Sequence, residues 1–438
     1  MRSVSVSTTA AASPSGAAAG SSLTAGESSF RNPKPRTRGV AALVGYKIVA
    51  DVAGKGSLFA ITIVAARRLT PEDFGVFALG TTIGWMLSVG TDFGVQMHLA
   101  RTVARTPGAA AALLRRWARV RIVATAGLLL LLGGVLAAAP IDRAIAIPLA
   151  LFAVAYAALG LVEFLNYFYR GLSRSDIEST TTLLLRATTL ALAVGVLIVR
   201  PTIVGLALAM LAPAVAALIG SAIVAGRFAP IQDAAAPAER THADRFVRDV
   251  FPIGAGIVLS SLYFRIDILL VERWAGLEAV AGYNAVFRLI DALRLVPAAV
   301  LAVTLPALCN AIDRRPLRRV ALPLALFGSA AAAMLWPAAK PIVTLAFGSA
   351  YATAAPAFRI LALALPLLSI NFALTHQLVA WNRQRAYAGV CAAALAINLA
   401  LNAWLIPAWS IDGAAWATLA TEACVTAGCA AALVKGPA

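Results

Sequence analysis

Long apolar runs separated by short polar connections fill the sequence from Val40 onward. Most runs approach the roughly 20 residues that a helix needs to cross a bilayer. They are continuous and rich in Ala and Leu, whereas the strands of a membrane barrel alternate apolar and polar positions. The pattern therefore predicts about twelve transmembrane helices, near residues 40–66, 73–98, 121–139, 144–169, 180–199, 203–225, 249–272, 280–308, 321–346, 354–381, 386–406 and 411–434.

Composition also indicates a membrane protein. Of 438 residues, 61% are hydrophobic and 13% are charged, whereas about 25% of residues in soluble domains are charged. The net charge of +17 would suggest a nucleic-acid partner in a soluble protein, but most basic residues lie in the connections, so we expect none. The four cysteines and three histidines lack ligand spacing. We expect no metal, no cofactor and, because every connection is short, no enzyme active site.

The connections divide the chain and predict its orientation. Residues 1–38 are mainly Ser, Ala, Gly and Pro, which predicts a disordered cytoplasmic tail that is not a signal peptide. A cytoplasmic linker, residues 227–248, separates a six-helix lobe at 39–226 from a second at 249–438. Most Lys and Arg, including the group from Arg101 to Arg121, fall in connections on the side of the N-terminus. The positive-inside rule then places both termini in the cytoplasm.

Short sequence matches recur between the two lobes at nearly constant spacing. The offsets are 207, 209 and 208 residues for 75–79 with 282–286, 171–174 with 380–383, and 205–211 with 413–419. An offset of six helices preserves orientation, so the lobes are predicted to be parallel repeats related by an axis along the membrane normal. The predicted fold class is an all-α polytopic membrane protein with the repeat architecture typical of alternating-access transporters.

Charged residues within the predicted helices are the candidate functional residues, because a charge at mid-bilayer is costly and usually faces a wet cavity or a partner. Cations outnumber acids, and Arg and Lys both suit a phosphate or diphosphate group. An alternative is that these groups only pair with one another or snorkel, as we expect for Arg186 and Arg359. The candidates for a cationic substrate cavity are Lys47, Lys55, Arg265, Arg288 and Arg294. The candidates for pairing or ion coupling are Asp51, Asp92 and Asp291.

Three segments resemble a known family. Residues 66–78 read Ala-Arg-Arg-Leu-Thr-Pro-Glu-Asp-Phe-Gly-Val-Phe-Ala, residues 380–385 form a short polar turn, and residues 405–422 contain Leu-Ile-Pro and Gly-Ala-Ala-Trp-Ala-Thr. They are similar to the polysaccharide-biosynthesis flippases of the multidrug/oligosaccharidyl-lipid/polysaccharide exporter superfamily. The resemblance implies a V-shaped pair of six-helix lobes with a cavity lined by helices one, two, seven and eight. It offers no invariant motif, so the site candidates depend on charge placement.

The leading hypothesis is a flippase for an undecaprenyl-diphosphate-linked oligosaccharide, such as an O-antigen, capsule or exopolysaccharide repeat unit, in the bacterial inner membrane. Its partners would be the lipid-linked oligosaccharide, membrane lipids, and a polysaccharide polymerase with a chain-length regulator. A multidrug antiporter of the same fold is the first alternative, although its cationic substrates favour an acidic cavity. A membrane polymerase or ligase would need a large periplasmic loop, and a lipid-binding scaffold without transport is a further alternative.

Overall fold

A computed structural model describes residues 37–228, 251–309, 313 and 315–434, with side chains at these positions other than 37–45, 47–52, 55, 251–253 and 305–307. The predicted tail and linker therefore lie almost wholly outside the described residues, and the lobe boundaries stay predictions. The α-helices are α1 (Thr37–Arg68), α2 (Pro71–Asp92), α3 (Val95–Arg105), α4 (Ala110–Ala138), α5 (Arg143–Gly171), α6 (Ser175–Val199), α7 (Ile203–Phe228), α8 (Phe251–Leu293), α9 (Leu295–Cys309), α10 (Arg315–Leu335), α11 (Ala339–Phe347), α12 (Ala355–Ala380) and α13 (Gln384–Val434).

All twelve predicted segments are mainly helical where the structure describes them, with turns at 93–94, 294, 336–338 and 381, and the described residues contain no strand. Among the described residues, eight helical stretches are long and apolar enough to cross a membrane by length and composition. Two connections are tighter than the apolar pattern suggested. α8 holds the seventh segment and the start of the eighth across Gly276, and α13 holds the last two segments across Ser410.

Local sequence explains where α2 begins and ends. The Thr70 hydroxyl accepts a hydrogen bond from the Asp73 amide, and Pro71 occupies the first helical position, both common at helix starts. After Asp92 the chain breaks, because Phe93 and Gly94 have φ values of 40° and 81°. The second predicted segment, 73–98, is therefore two helices rather than one.

The two halves share a turn that the repeat predicted. Ser173 and Asn382, which are 209 residues apart in the sequence, both have positive φ, at 59° and 55°. Each follows a helix and closes it with the bond pattern of a Schellman motif. The bonds that span each turn are Arg174 N to Tyr169 O and Arg383 N to Leu378 O, both 2.8 Å.

Apolar surface is distributed as expected for a protein in lipid. The largest hydrophobic core combines residues of both halves, including Phe74, Phe152 and Phe287. Large apolar side chains are also exposed, among them Leu130 and Val303 at 77% and 81%. Helices satisfy their own backbone hydrogen bonds, which spanning segments require.

The two halves contact each other at Gly75 and Gly254, where the absence of a side chain lets the backbones approach closely. A Cβ atom on Gly75 of α2 would lie 2.1 Å from the Leu277 carbonyl oxygen of α8. A Cβ atom on Gly254, near the other end of α8, would lie 2.4 Å from the Phe93 carbonyl oxygen. Since real Cβ contacts essentially never fall below 3.0 Å, glycine is required at both positions.

Candidate functional site

Three arginines of the second half converge on one carboxylate. Arg265 Nη2 lies 2.6 Å from Asp291 Oδ2, and Arg294 Nη1 lies 3.3 Å from Asp291 Oδ1. Arg288 Nη1 is 3.8 Å from Asp291 Oδ2. We call Arg265, Arg288, Asp291 and Arg294 the arginine cluster. Its arginines carry three positive charges against one negative charge.

Aromatic rings hold two of these guanidinium groups. The Arg294 guanidinium carbon lies 3.8 Å from the ring centroid of Phe264 and 5.2 Å from that of Phe372. The Arg265 guanidinium carbon lies 4.6 Å from the centroid of Phe287. Cation–π contacts of this kind are worth about 0.5–2 kcal/mol, more where water is excluded. The rings therefore orient the arginines as well as shield them from lipid.

The arginine cluster contains buried N–H donors that have no hydrogen-bond partner among the described residues. Arg265 is only 6% exposed, yet its Nη1 has no hydrogen-bond partner among the described residues. The Nε atoms of Arg288 and Arg294 are likewise buried without a partner in that part of the chain. Unpaired buried donors are costly, and an oxyanion would satisfy several of them at once. The arrangement is suited to binding a phosphate or diphosphate.

The arginine cluster lies next to the packing between the halves. Along α8, Arg265 falls between Gly254 and Leu277, the two positions that approach α2. Phe287 and Ile290, which flank the other cluster residues, belong to the core that both halves build. The three candidate arginines and Asp291 are thus brought together on α8 and the residue that follows it.

Asp92 has a different partner. Its Oδ1 lies 3.7 Å from Arg121 Nη1 and accepts a 3.1 Å hydrogen bond from the Gln96 amide, which caps α3. Arg121 is 1% exposed and also donates to the Gly160 carbonyl at 3.2 Å. Asp92 is therefore a paired acid that fixes the break between α2 and α3.

The placement of Arg121 differs from the sequence interpretation, which counted it among the connection cations. It lies within α4, which begins eleven residues earlier, at Ala110. The signal was present in the spacing, because Trp117, Arg121 and Thr125 are four residues apart and all are buried. A charged residue in a stripe of this kind is expected to have a buried partner.

Lys47, Asp51 and Lys55 lie on α1, but their side chains are outside the described part of the chain. Their roles in a cationic cavity and in pairing or ion coupling stay predictions. A Cβ atom on Gly54, one residue before Lys55, would lie 3.6 Å from Arg186 Nε of α6. Arg186 thus approaches α1, which the interpretation as a snorkelling residue had not considered.

A second polar cluster lies within the second half. Asn371 Nδ2 donates to Glu422 Oε2 at 2.7 Å, and Thr426 Oγ1 donates to Asn371 Oδ1 at 2.8 Å. The Tyr283 hydroxyl donates to Asp267 and lies 3.1 Å from the Thr418 hydroxyl. Glu422 and Asp267 are both 2% exposed. No group of three His, Cys, Asp or Glu residues suited to a metal ion occurs among the described residues.

Known structures share this fold. A lipid II flippase, MurJ, in an inward closed conformation matches with a TM-score of 0.67 and 12% identity, over 90% of this chain and 87% of that one. A multidrug resistance MATE family transporter of the MOP superfamily, inward-facing, matches with a TM-score of 0.67 and 14% identity, over 86% and 93% of the two chains. The outward-facing MATE structure matches at 0.62, with 14% identity over 90% and 95%. The predicted fold class is confirmed.

The sequence comparison is more specific than the structural one. No curated protein sequence matches the chain. A family model described as polysaccharide biosynthesis protein matches residues 40–311, more than half of the chain. The resemblance noted in the sequence is confirmed, and the chain belongs to the polysaccharide biosynthesis protein family.

Proposed function

We propose that this protein is a flippase that moves an undecaprenyl-diphosphate-linked oligosaccharide across the bacterial inner membrane by alternating access. The arginine cluster is the observation that carries the proposal. It offers buried, oriented guanidinium donors beside the packing between the halves. Planar guanidinium forks bind phosphate oxygens in pairs, which gives both energy and orientation.

The substrate class follows from the charge and from the family. A lipid-linked sugar presents the same diphosphate whatever its glycan, so one cationic site serves an O-antigen, capsule or exopolysaccharide unit. Lys47 and Lys55 on the first helix would complete the cationic cavity. The proposed partners are membrane lipids, a polysaccharide polymerase and a chain-length regulator, and both termini lie in the cytoplasm.

Ion coupling is assigned to acids within the membrane. Asp92 and Asp291 are candidates because their carboxylates form ion pairs with arginines, and Asp51 is a candidate because it lies four residues from both Lys47 and Lys55 in the sequence. Glu422 adds a fourth, since it is buried and its carboxylate accepts a hydrogen bond from the neutral Asn371 amide. Intramembrane carboxylates commonly mark ion and proton pathways.

The proposal is tested by single Ala substitutions of Arg265, Arg288 and Arg294 in cells that depend on this protein for glycan export. Losing a hydrogen bond to a charged group costs about 1.5–3 kcal/mol, or roughly ten- to a hundredfold in binding. Glycan surface display should therefore fall while the lipid-linked intermediate accumulates on the cytoplasmic side. Arg273→Ala is the matched control, because Arg273 is an exposed residue of α8. Normal export by all three variants at normal protein levels would contradict the proposal.

A multidrug antiporter is the second candidate, and the Glu422 and Asp267 cluster favours it, because buried carboxylates suit a cationic substrate. MATE transporters also match the fold as well as MurJ does. Efflux of ethidium from membrane vesicles separates the two functions. We expect no efflux above vesicles that lack the protein. Efflux that is lost in Glu422→Gln and kept in Arg265→Ala would favour the antiporter instead.

A further inference from the structure

We propose that Asp291 is an internal counter-anion that occupies the position of a substrate phosphate oxygen, and that the substrate diphosphate binds by displacing Asp291 from Arg265. The inference rests on the proposed function and adds to it a rule for substrate charge and release. It assigns to Asp291 a role other than ion coupling.

The geometry of the Asp291 carboxylate is that of a bound oxyanion. Its two oxygens lie 2.6, 3.3 and 3.8 Å from guanidinium nitrogens of Arg265, Arg294 and Arg288, respectively. Only the 2.6 Å contact with Arg265 is short, and the contact with Arg288 lies beyond hydrogen-bond distance. One carboxylate is thus shared among three guanidinium groups, and the unpaired donors described above remain on all three arginines.

The exposures of Arg265 and Asp291 permit a substrate diphosphate to replace the Asp291 carboxylate at Arg265. The Arg265 side chain is 7% exposed and the Asp291 side chain is 23% exposed. Arg265 is fixed between the ring of Phe287 and its carboxylate partner. Asp291 is the more accessible member, so it can leave the contact while Arg265 stays in place.

The charges explain why a carboxylate belongs here. Three arginines without Asp291 would place three positive charges in a membrane protein, which is costly. With Asp291, two positive charges are unbalanced. A diphosphate diester carries two negative charges and would neutralise the cluster, whereas the single charge of a phospholipid phosphodiester would not. Asp291 therefore favours the diphosphate over the abundant bilayer lipids.

Competition by Asp291 also aids release. A carrier must bind its cargo well enough to load it and weakly enough to let it go, as conducting sites also must. A carboxylate that returns to Arg265 offsets part of the free energy lost when the diphosphate leaves. Removing the carboxylate should then tighten binding and slow export, which is the opposite of what loss of a supporting residue would do.

The test titrates the purified full chain in detergent micelles with inorganic pyrophosphate and, separately, with farnesyl diphosphate. Asp291→Asn and Asp291→Ser should each bind pyrophosphate about tenfold or more tightly than the wild type, while displaying less glycan in cells. Glu278→Gln is the matched control, because it removes an acid that is exposed on the same helix, and its affinity should not change. A gain for both probes identifies the diphosphate itself as the ligand, and a gain for farnesyl diphosphate alone identifies a lipid headgroup.

The outcomes separate this inference from the proposed function. Equal or weaker binding of both probes in both Asp291 variants, with binding lost in Arg265→Ala, would overturn the inference and leave the cationic site intact. Asp291 would then position the arginines. Failure of the wild type and every variant to bind either probe would contradict the cationic site and the inference together.

Discussion

A guanidinium within a membrane protein is stable only where its faces and its donors both find partners, and Arg294 illustrates how this chain provides them. The rings of Phe264 and Phe372 lie 3.8 and 5.2 Å from its guanidinium carbon, and Asp291 accepts at its edge. A planar group can stack and donate at the same time, whereas an ammonium group can do only one of these well. The positive charge of Arg294 alone therefore does not account for its contacts with the two rings and with Asp291.

Arg294→Lys should therefore retain only part of the function. The charge remains, but the planar fork and the stacking on Phe264 are lost, each worth about 1 kcal/mol. Together these losses correspond to pyrophosphate binding about thirtyfold weaker than in the wild type, and we expect it to stay stronger than in Arg294→Ala. Titration of the purified variants measures this. Wild-type affinity in Arg294→Lys would mean that the ring contacts are incidental.

The Arg121 and Asp92 pair gives a prediction about stability rather than transport. Arg121 is 1% exposed, so Arg121→Gln leaves Asp92 partly buried without its cation. Breaking a buried pair by removing one partner costs about 3–5 kcal/mol, reduced here because the Asp92 side chain is 18% exposed. The melting temperature of purified Arg121→Gln should fall by several degrees, as about 1 kcal/mol shifts a domain by roughly 2–8 °C. Asp92→Asn/Arg121→Gln should recover part of the loss, and a double variant less stable than the single would rule out the pairing.

At the scale of whole helices, hydropathy identified what crosses the membrane but not where the backbone breaks. The segment 73–98 is predominantly apolar, yet it divides at Phe93 and Gly94, where both residues have positive φ. The segment 280–308 is interrupted by a turn at Arg294, whose φ is not positive. Apolar content measures solvent preference and carries no record of φ, so neither break could be predicted from it. Gly94 was the one local signal.

The break after α2 can be tested at Gly94. Its φ of 81° is accessible to glycine and costs an L-residue roughly 1–2 kcal/mol, so Gly94→Ala should lower the melting temperature of the purified protein. Gly90→Ala is the matched control, because Gly90 lies four residues earlier, within α2. A Cβ there meets only Leu128 Cδ1 at 3.9 Å, and Gly to Ala within a helix is worth about 0.5–1 kcal/mol. Gly90→Ala should be neutral or stabilising. Equal melting temperatures for the two variants would show that the break is not fixed at Gly94.

For the whole molecule, composition and the repeat were sufficient to predict the fold class, whereas the site was predicted only in part. The spacing of Arg288, Asp291 and Arg294 placed them close on one helix, since neighbours three apart share a face. Arg265 joins them across the Gly276 break, and no periodicity extends through a residue with φ 83°. The sequence named Asp291 as a pairing candidate but could not identify it as the shared partner of three arginines.

The repeat also predicts which turns share a side of the membrane. Parallel six-helix repeats place Ser173 and Asn382 on the same side, because six helices lie between them, whereas an inverted repeat would place them on opposite sides. Their φ values, 59° and 55°, and their turn hydrogen bonds are alike, as expected of corresponding turns in two repeats. The positive-inside rule assigns that side to the cytoplasm, since Arg174 and Arg383 follow the two turns.

Alkaline phosphatase, which is active only in the periplasm, reports the side directly. Fusions after Ser173 and after Asn382 should both be inactive. Fusions after Asp142 and after Pro201, in the connections that precede α5 and α7, should both be active. Equal protein levels, checked by immunoblot, control for degradation. If all four activities were reversed, both termini would lie outside the cytoplasm and the charge rule would fail for this chain. If the fusions at Ser173 and Asn382 differed from each other, the two halves would not be parallel repeats, and the pairing of their helices would have to be assigned again.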